Sequence, residues 1–447
     1  MAKQIGILGA GRSVSGLLTY LEKHAKTYHW KVKLADASLE MAEKKALGSE
    51  CIQPVALDVS DMQSLSSFVQ ESDIIISMLP PHMHAGVASH CINHSKHLLT
   101  ASYVSEEIKN LEQEAIEKGV LILMEMGLDP GIDHMSAMAE LDQIRDDGGE
   151  IVSFKSFTGG LVAPESDNNP WHYKVTWNPR NVVLAGQGTV KFIRNNRYKH
   201  IPYHGLFRRL ERVYVNGVGE FDGYANRDSL KYRTYYQLDK IPTLFRGTLR
   251  YPGFCEAWDV FVQLGMTDDT YMLEGVENMT YRDFINTYLV YHQHATVEQK
   301  LSEYLRLDPH GDVMDKLKWL GVFSNEPIGL QAATPAEVLQ KLIERKWRLQ
   351  PEEKDMIVMQ HQVGFKSNNQ LKLLKSSMML KGDNAEETSM ARTVGLPLGI
   401  AAKLLLEGQI KMKGIHIPVN KEIYGKVLPE LEKEGVRFER EIINIDN

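Results

Sequence analysis

Two glycines, Gly9 and Gly11, follow the apolar run QIGIL (4–8), and an acid, Asp36, closes the next apolar run, KVKLA (31–35). Glycine at the first position permits a turn too sharp for a side chain. At the second it lets backbone approach a pyrophosphate at the positive end of a following helix. An acid at the position of Asp36 accepts hydrogen bonds from an adenine-ribose diol and repels a 2′-phosphate. No Arg or Lys follows before Lys44, so the pattern favours NAD; Arg12, able to contact phosphate, is the residue that would admit NADP. The third glycine of this fingerprint is absent. Val14 stands there, and Gly16 is expected to restore the close contact of helix with strand. Gly-x-Gly alone is weak evidence; its setting between a strand and a helix strengthens it.

A second group lies in TASYVS (100–105) and MEMGLDPGIDH (124–134). Ser102, Tyr103, Asp129 and His134 bring hydroxyl, phenol, carboxylate and imidazole groups, the types that move protons. Asp129-Pro130-Gly131 reads equally as a turn. Five histidines, His82, His84, His90, His94 and His97, crowd one stretch. His90 and His94 have metal-ligand spacing, but no Glu completes an H-E-x-x-H pattern, so no metal is expected.

These residues need elements to hold them. Gln4–Leu8, Lys31–Ala35, Pro54–Leu57, Asp73–Leu79, His97–Thr100 and Leu121–Met124 read as strands. Ser15–Lys23, Leu39–Leu47, His84–His94 and Glu106–Lys118 read as helices between them. Alternation of this kind implies a parallel, doubly wound sheet, which binds ligands at the carboxyl ends of its strands. Both motif stretches follow such ends. Residues 150–275 read as mixed strand and loop, with KFIRNNRYKH (191–200) a solvated basic loop. From about 280 to 380 the pattern turns helical, over Phe284–Val290, Val297–Tyr304, Val313–Leu320, Ala336–Ile343 and Ile357–Gln362, with a closing helix at Gly399–Glu407.

Composition bounds the function. The 447 residues suggest two or three domains; 43% are hydrophobic and 24% charged, as in a soluble globular protein. A net charge of −7 argues against a general nucleic-acid binder while allowing a local basic pocket for an acidic substrate. Cys51, Cys91 and Cys255 are scattered, with no CxxC pair, which fits a reducing cytosol. The first strand begins at once, leaving no room for a signal peptide, and no apolar stretch is expected to be long enough to span a membrane. A cytoplasmic location is expected, with no membrane partner, and a homodimer is compatible with the sequence.

Together the two motif stretches resemble the saccharopine dehydrogenase family, in its L-glutamate-forming branch. The resemblance continues through GGLVAPESDNNPWHYKVTW (159–177), YANRDS (224–229), RGTLRYPGF (246–254) and TVGLPLGIAAKLLL (393–406). It implies a Rossmann-like dinucleotide domain over 1–130 plus about 390–447. It further implies a mixed α+β substrate domain over about 131–280 plus 364–389, with a helical insertion over about 281–363. It implies oxidation of saccharopine by a nicotinamide cofactor to L-glutamate and 2-aminoadipate 6-semialdehyde. Cofactor positions fall on the first glycine loop (Gly9, Gly11, Arg12, Ser13, Val14), Asp36, Asp58, Val59, Ser77, Met78, Leu79, Leu128, Asp129 and Pro130. Substrate positions fall on Ser102, Tyr103, Trp177, Arg227, Gly247, Thr248, Leu249 and Arg250. Two departures stand out. Fungal members carry an Arg after the second strand where this chain has Ala37, which opposes NADP, and a family cysteine is Thr158 here.

Saccharopine carries three carboxylates, a primary amine and a secondary amine, and such an anion needs fixed cations. Lys174, Arg180, Arg227, Arg246 and Arg250 lie in or beside the matching motifs. Hydride removal beside the secondary amine, then hydrolysis of the imine, calls for an acid–base group. Asp129 and Tyr103 are the candidates. Two other readings compete: a related amine-forming dehydrogenase such as carboxynorspermidine dehydrogenase, and a non-catalytic dinucleotide sensor.

Overall fold

A computed structural model describes residues 2–46 and 48–445. The elements run, in chain order, β1 (Gln4–Leu8), α1 (Ser15–Tyr28), β2 (Lys31–Asp36), α2 (Leu39–Ala46), β3 (Ile52–Ala56), α3 (Met62–Glu71), β4 (Ile74–Ser77), α4 (His84–Asn93), β5 (His97–Thr100), α5 (Glu106–Lys109), α6 (Glu112–Glu117), β6 (Leu121–Leu123) and α7 (Ile132–Asp146). There follow β7 (Glu150–Val162), α8 (Pro179–Val183), β8 (Val190–Arg194), β9 (Arg197–Ile201), β10 (Glu211–Val215), β11 (Gly219–Ala225), β12 (Leu244–Arg250), α9 (Phe254–Leu264), α10 (Tyr281–Asn286), α11 (Val297–Leu305), α12 (Asp312–Leu320) and α13 (Pro335–Lys346). The chain closes with β13 (Asp355–Ser367), β14 (Gln370–Lys381), α14 (Ser389–Leu406), β15 (Gly414–His416), α15 (Lys421–Lys433) and β16 (Glu439–Asn444). Leu47, which the sequence places at the end of α2, lies outside the described residues.

Two compact units result, one of residues 1–150 and 386–439, the other of 151–385 and 440–447. The first holds a parallel seven-stranded sheet in the order β15-β6-β5-β4-β1-β2-β3 among the described residues. β1 and β4 are near-continuous apolar runs because helices cover both faces of such a sheet. Gly9, at φ +101°, makes the turn after β1, where a Cβ would meet the Met78 carbonyl oxygen at 3.0 Å.

The second unit holds a mixed sheet ordered β10-β11-β12-β7-β13-β14-β16, with the β8–β9 hairpin attached to β12. Its core gathers Trp171, Tyr173, Phe254, Trp258, Phe261 and Trp347, all buried.

Several expectations are corrected. The first unit extends to residue 150 rather than 130, because α7 is tied to α15 through Tyr424 OH, which donates to Asp142 Oδ2 at 2.5 Å. Residues 440–447 fall in the second unit, because β16 joins the β14 edge of its sheet. Ile357–Gln362 is strand, not helix: β13 pairs with β14 from Met356 to Ser367, and a short apolar run has no period that separates the two. The helical segment therefore ends before β13. KFIRNNRYKH is not a loop but the β8–β9 hairpin, turned at Asn195 and Asn196, both with positive φ. Gly16 faces α14 rather than the sheet: a Cβ there would meet the Ala391 carbonyl oxygen at 2.6 Å. Glu106–Lys118 is two short helices. The closing helix starts ten residues early, at Ser389, and runs through Pro397. This helix is apolar and long enough to cross a membrane by length and composition. However, 78% of it is buried inside the protein, as befits a core helix.

Candidate active site

In the first unit, the carboxyl ends of β1, β2, β4, β5 and β6 share one edge of the parallel sheet. Asp36 sits between the first two. Its Oδ2 accepts from Ala10 N–H at 2.8 Å and its Oδ1 from Ser38 N–H at 3.0 Å. One carboxylate thus clamps the glycine turn and retains lone pairs for a diol. Gly11 is exposed, and a Cβ added there would meet nothing within 4 Å. Arg12 is exposed, Ser13 half-buried and Val14 buried, and all three lie in a single 3-10 turn ahead of α1. Asp58 is exposed and Val59 half-buried. The Asp58 carboxyl is held below its ordinary range by the backbone and side-chain hydrogen bonds of Ser60.

The residues present fit a dinucleotide. An open glycine, a pinned turn and a carboxylate with spare acceptor sites stand together at strand ends. Met78 and Leu79 flank them, half-buried.

Further along the same edge, Tyr103 OH lies 3.5 Å from Asp129 Oδ1 and donates toward it. Asp129 is half-buried, while Leu128 and Pro130 are buried. Their loop closes on itself: Gly127 N–H donates to the Pro130 carbonyl at 2.9 Å, and Gly131 N–H to Asp133 Oδ1 at 2.7 Å.

His134, grouped by sequence with Ser102, Tyr103 and Asp129, is an interior residue. It is fully buried, with Nε2 2.9 Å from Glu125 Oε2. The other Glu125 oxygen accepts from Val104 N–H at 3.2 Å. Glu125 therefore joins the loop of Ser102 and Tyr103 to the helix behind Asp129. The sequence did signal it, as a lone charge inside LILMEMGL. His84 is a second residue that the motifs passed over. It bridges Ser77 and Ser102 by hydrogen bonds of 2.9 and 2.7 Å.

In the second unit the cations separate into three kinds. Lys174 is buried, and its ammonium group pairs with Glu353 at 2.5 Å. Arg180 pairs with Asp269 at 3.1 Å and Glu337 at 3.5 Å. Arg227 is exposed, with φ +49°, and its carbonyl accepts from Lys191 N–H.

Arg246 and Arg250, on one strand, are buried. Arg246 lies 4.5 Å from the centre of the Tyr232 ring. Arg250 lies 5.0 Å from Tyr173, 5.4 Å from Phe254 and 5.8 Å from Tyr224, ring centre to guanidinium carbon. Among the described residues, its guanidinium donates to the Leu249 carbonyl, and its Nε is buried without a partner. Trp177 donates Nε1–H to Tyr173 OH at 3.3 Å. Gly247 has no room for a side chain, because a Cβ would press on Phe245 and Phe157 within 3 Å. Thr248 is half-buried and Leu249 buried; Thr248 pairs in register with Thr158, whose hydroxyl is buried without a partner.

A parallel dinucleotide-type sheet followed by a mixed sheet carrying buried arginines defines a class of two-unit oxidoreductases. The chain belongs to the saccharopine dehydrogenase family. The model of the saccharopine dehydrogenase NADP binding domain matches residues 5–123, and that of the saccharopine dehydrogenase C-terminal domain matches 127–436.

The NADP(+)-named, L-glutamate-forming saccharopine dehydrogenase of Schizosaccharomyces pombe is 32% identical, over 98% of both chains. The mitochondrial alpha-aminoadipic semialdehyde synthase of Mus musculus is 33% identical over 98% of this chain, which spans 47% of that longer protein. The apo saccharopine dehydrogenase (L-Glu forming) of Saccharomyces cerevisiae superposes with a TM-score of 0.89 at 28% identity, covering 99% of this chain and all of that one.

Proposed function

We propose that the chain is a saccharopine dehydrogenase of the L-glutamate-forming kind, oxidising the secondary amine of saccharopine and releasing L-glutamate and 2-aminoadipate 6-semialdehyde. The observation that carries this reading is Arg250. A guanidinium stays charged at any working pH, and burial without a counter-ion is unfavourable unless an anion arrives. The surrounding aromatic faces contribute about 0.5–2 kcal/mol each and leave its hydrogen-bonding edge to a carboxylate. Full-length relatives bearing this name support the same substrate.

A dinucleotide held by the first unit would supply the hydride acceptor. The chain's own residues do the rest. The turn from Gly9 to Val14 and the carboxylate of Asp36 hold the dinucleotide. In the first unit Ser102 offers a hydroxyl to a substrate carboxylate; in the second, described by itself, Trp177, Arg227 and the segment from Arg246 to Arg250 are the groups suited to carboxylates. Asp129 and Tyr103 take and return the protons at the amine nitrogen. Asp129→Asn should abolish one limb of the pH–rate profile, and an unchanged profile removes Asp129 from that role.

Within this reading we infer NAD as the preferred cofactor. The matched domain model and the fungal relatives are named for NADP, and this chain's own residues at the end of β2 are what favour NAD. Asp36 ends β2, Ala37 follows, and the next cation is Lys44. A 2′-phosphate beside Asp36 meets repulsion and no adjacent cation on this segment.

The test is reduced-cofactor absorbance with saccharopine, run in parallel with NAD and NADP. Turnover with neither sinks the function, and faster turnover with NADP sinks the preference. Arg250→Met should lower kcat/KM by about a hundredfold, as expected for about 2–3 kcal/mol lost with a buried charge-assisted contact.

A further inference from the structure

One side chain joins two of the ligand-bearing strand ends in the first unit. His84, the first residue of α4, is 1% exposed. Its Nδ1 lies 2.9 Å from Ser77 Oγ, at the end of β4. Its Nε2 lies 2.7 Å from Ser102 Oγ, just past β5, and 3.4 Å from Thr100 Oγ1. Burial, reinforced by the charge of His82, pushes the imidazole down to about 4, so the ring is neutral at physiological pH.

A neutral imidazole has one donor and one acceptor nitrogen, so it treats the two serines oppositely. Nε2 faces two oxygens. A single N–H is readily shared between two acceptors, whereas one ring lone pair receives only one well-aligned O–H. Thr100 Oγ1 also accepts from Ser102 N–H at 3.3 Å, which fixes that hydroxyl as part of the same turn. The consistent arrangement has the hydrogen on Nε2, and Ser77 donating to Nδ1. Ser102 then accepts from the ring, and its own hydroxyl hydrogen is directed elsewhere.

We propose that His84 is a positioning residue: as its Nε2–H tautomer it holds Ser102 with the hydroxyl hydrogen turned out for a substrate carboxylate, and it couples that orientation to Ser77 on the dinucleotide edge. The role rests on the function proposed above. It does not make His84 a catalytic residue, since Ser102 and Ser77 intervene. The opposite tautomer would turn the Ser102 lone pairs outward and repel the same carboxylate.

Nitrogen NMR on the full chain with labelled histidine reads the tautomer directly, the His84 signals being assigned by their loss in His84→Gln. Protonated Nε2 with bare Nδ1 is expected; the reverse pattern, or a charged ring, overturns the proposal. Two variants then separate the ends of the bridge. A Gln amide reaches toward the Nε2 position and an Asn amide toward Nδ1. His84→Asn should raise the KM for saccharopine about tenfold with kcat nearly kept, one hydrogen bond to a charged group being lost, while His84→Gln stays within about twofold. Dinucleotide affinity, measured by calorimetry without substrate, should fall further in His84→Gln than in His84→Asn.

Equal KM effects in both variants, or loss of kcat with KM unchanged, overturn the proposal. If the wild-type protein does not oxidise saccharopine, the functional reading falls by itself. The NMR pattern and the dinucleotide titrations still decide for or against His84 holding Ser77 and Ser102.

Discussion

Glu125 shows how much one side chain in the first unit holds. It has φ +58°, in the left-handed region that disfavours any residue with a Cβ, by about 1–2 kcal/mol. The conformation persists because its N–H donates to the Ser102 carbonyl at 3.0 Å while its carboxylate holds Val104 and His134. Glu125→Ala is expected to destabilise the fold by about 3 kcal/mol, the scale of breaking one side of a buried pair, as read by urea unfolding. Glu125→Gly should recover about 1 kcal/mol of that by relieving the backbone. If the two variants are equally stable, the strain argument is wrong.

His84 carries a pH signature of its own. Its folded-state value, about 4, lies below its ordinary 6.5, so between these values the unfolded chain binds the extra proton. Stability from this group is therefore full above 6.5 and declines as pH falls toward 4, with a slope of at most about 1.4 kcal/mol per pH unit. His24 and His97, also lowered by burial, act in the same direction. The acid limb of the stability curve should flatten in His84→Gln, and an unaltered limb would show that His84 titrates normally.

At the scale of elements, the contact of α1 with α14 governs the first unit. A Cβ on Gly16 would meet Ala391 backbone at 2.6 Å, and one on Gly395 would meet the Leu17 nitrogen at 2.4 Å. Neither neighbour is a flexible side-chain tip, so the helices must separate. Gly16→Ala is expected to cost about 1–3 kcal/mol, seen as a lower Tm and, because α1 follows the glycine turn, a weaker dinucleotide affinity.

This contact also marks where sequence reading stops. The parallel sheet was legible, since β1 and β4 are near-continuous apolar runs with turn residues behind them, and strands and helices alternate along the first third of the chain. Gly9, Gly11 and Asp36 announced their setting by spacing. The partner of Gly16 did not, because α14 lies far along the chain and local periodicity carries no information about it. The same blindness hid β13, whose apolar run suits either a strand or a helix until its pairing with β14 is known. His84 was hidden differently: five histidines stood close together, and only the fold singled out the one between two serines. The pairing of Lys174 with Glu353 was hidden because the two are remote in sequence.

For the molecule as a whole, a dinucleotide that binds the folded first unit must raise its stability. At a hundredfold excess over Kd, the gain is about 2.7 kcal/mol. A thermal shift with NAD in the absence of saccharopine is expected, and the shift should shrink in Gly11→Val, where a side chain would occupy the open face of the turn. An identical shift in that variant would place the nucleotide elsewhere. The chain passes between the units after residues 150, 385 and 439, so each unit is assembled from two separate segments.

That routing has a consequence for biosynthesis. The outermost strand of the parallel sheet, β15, pairs with β6 through Gly414 and Leu121. On a ribosome, β6 emerges long before its neighbour and must wait, with one margin uncovered, while every strand of the second sheet except β16 is being made. A nascent chain halted anywhere before Gly414 cannot finish the sheet that its first residues began, and chaperone dependence during translation should concentrate in that interval.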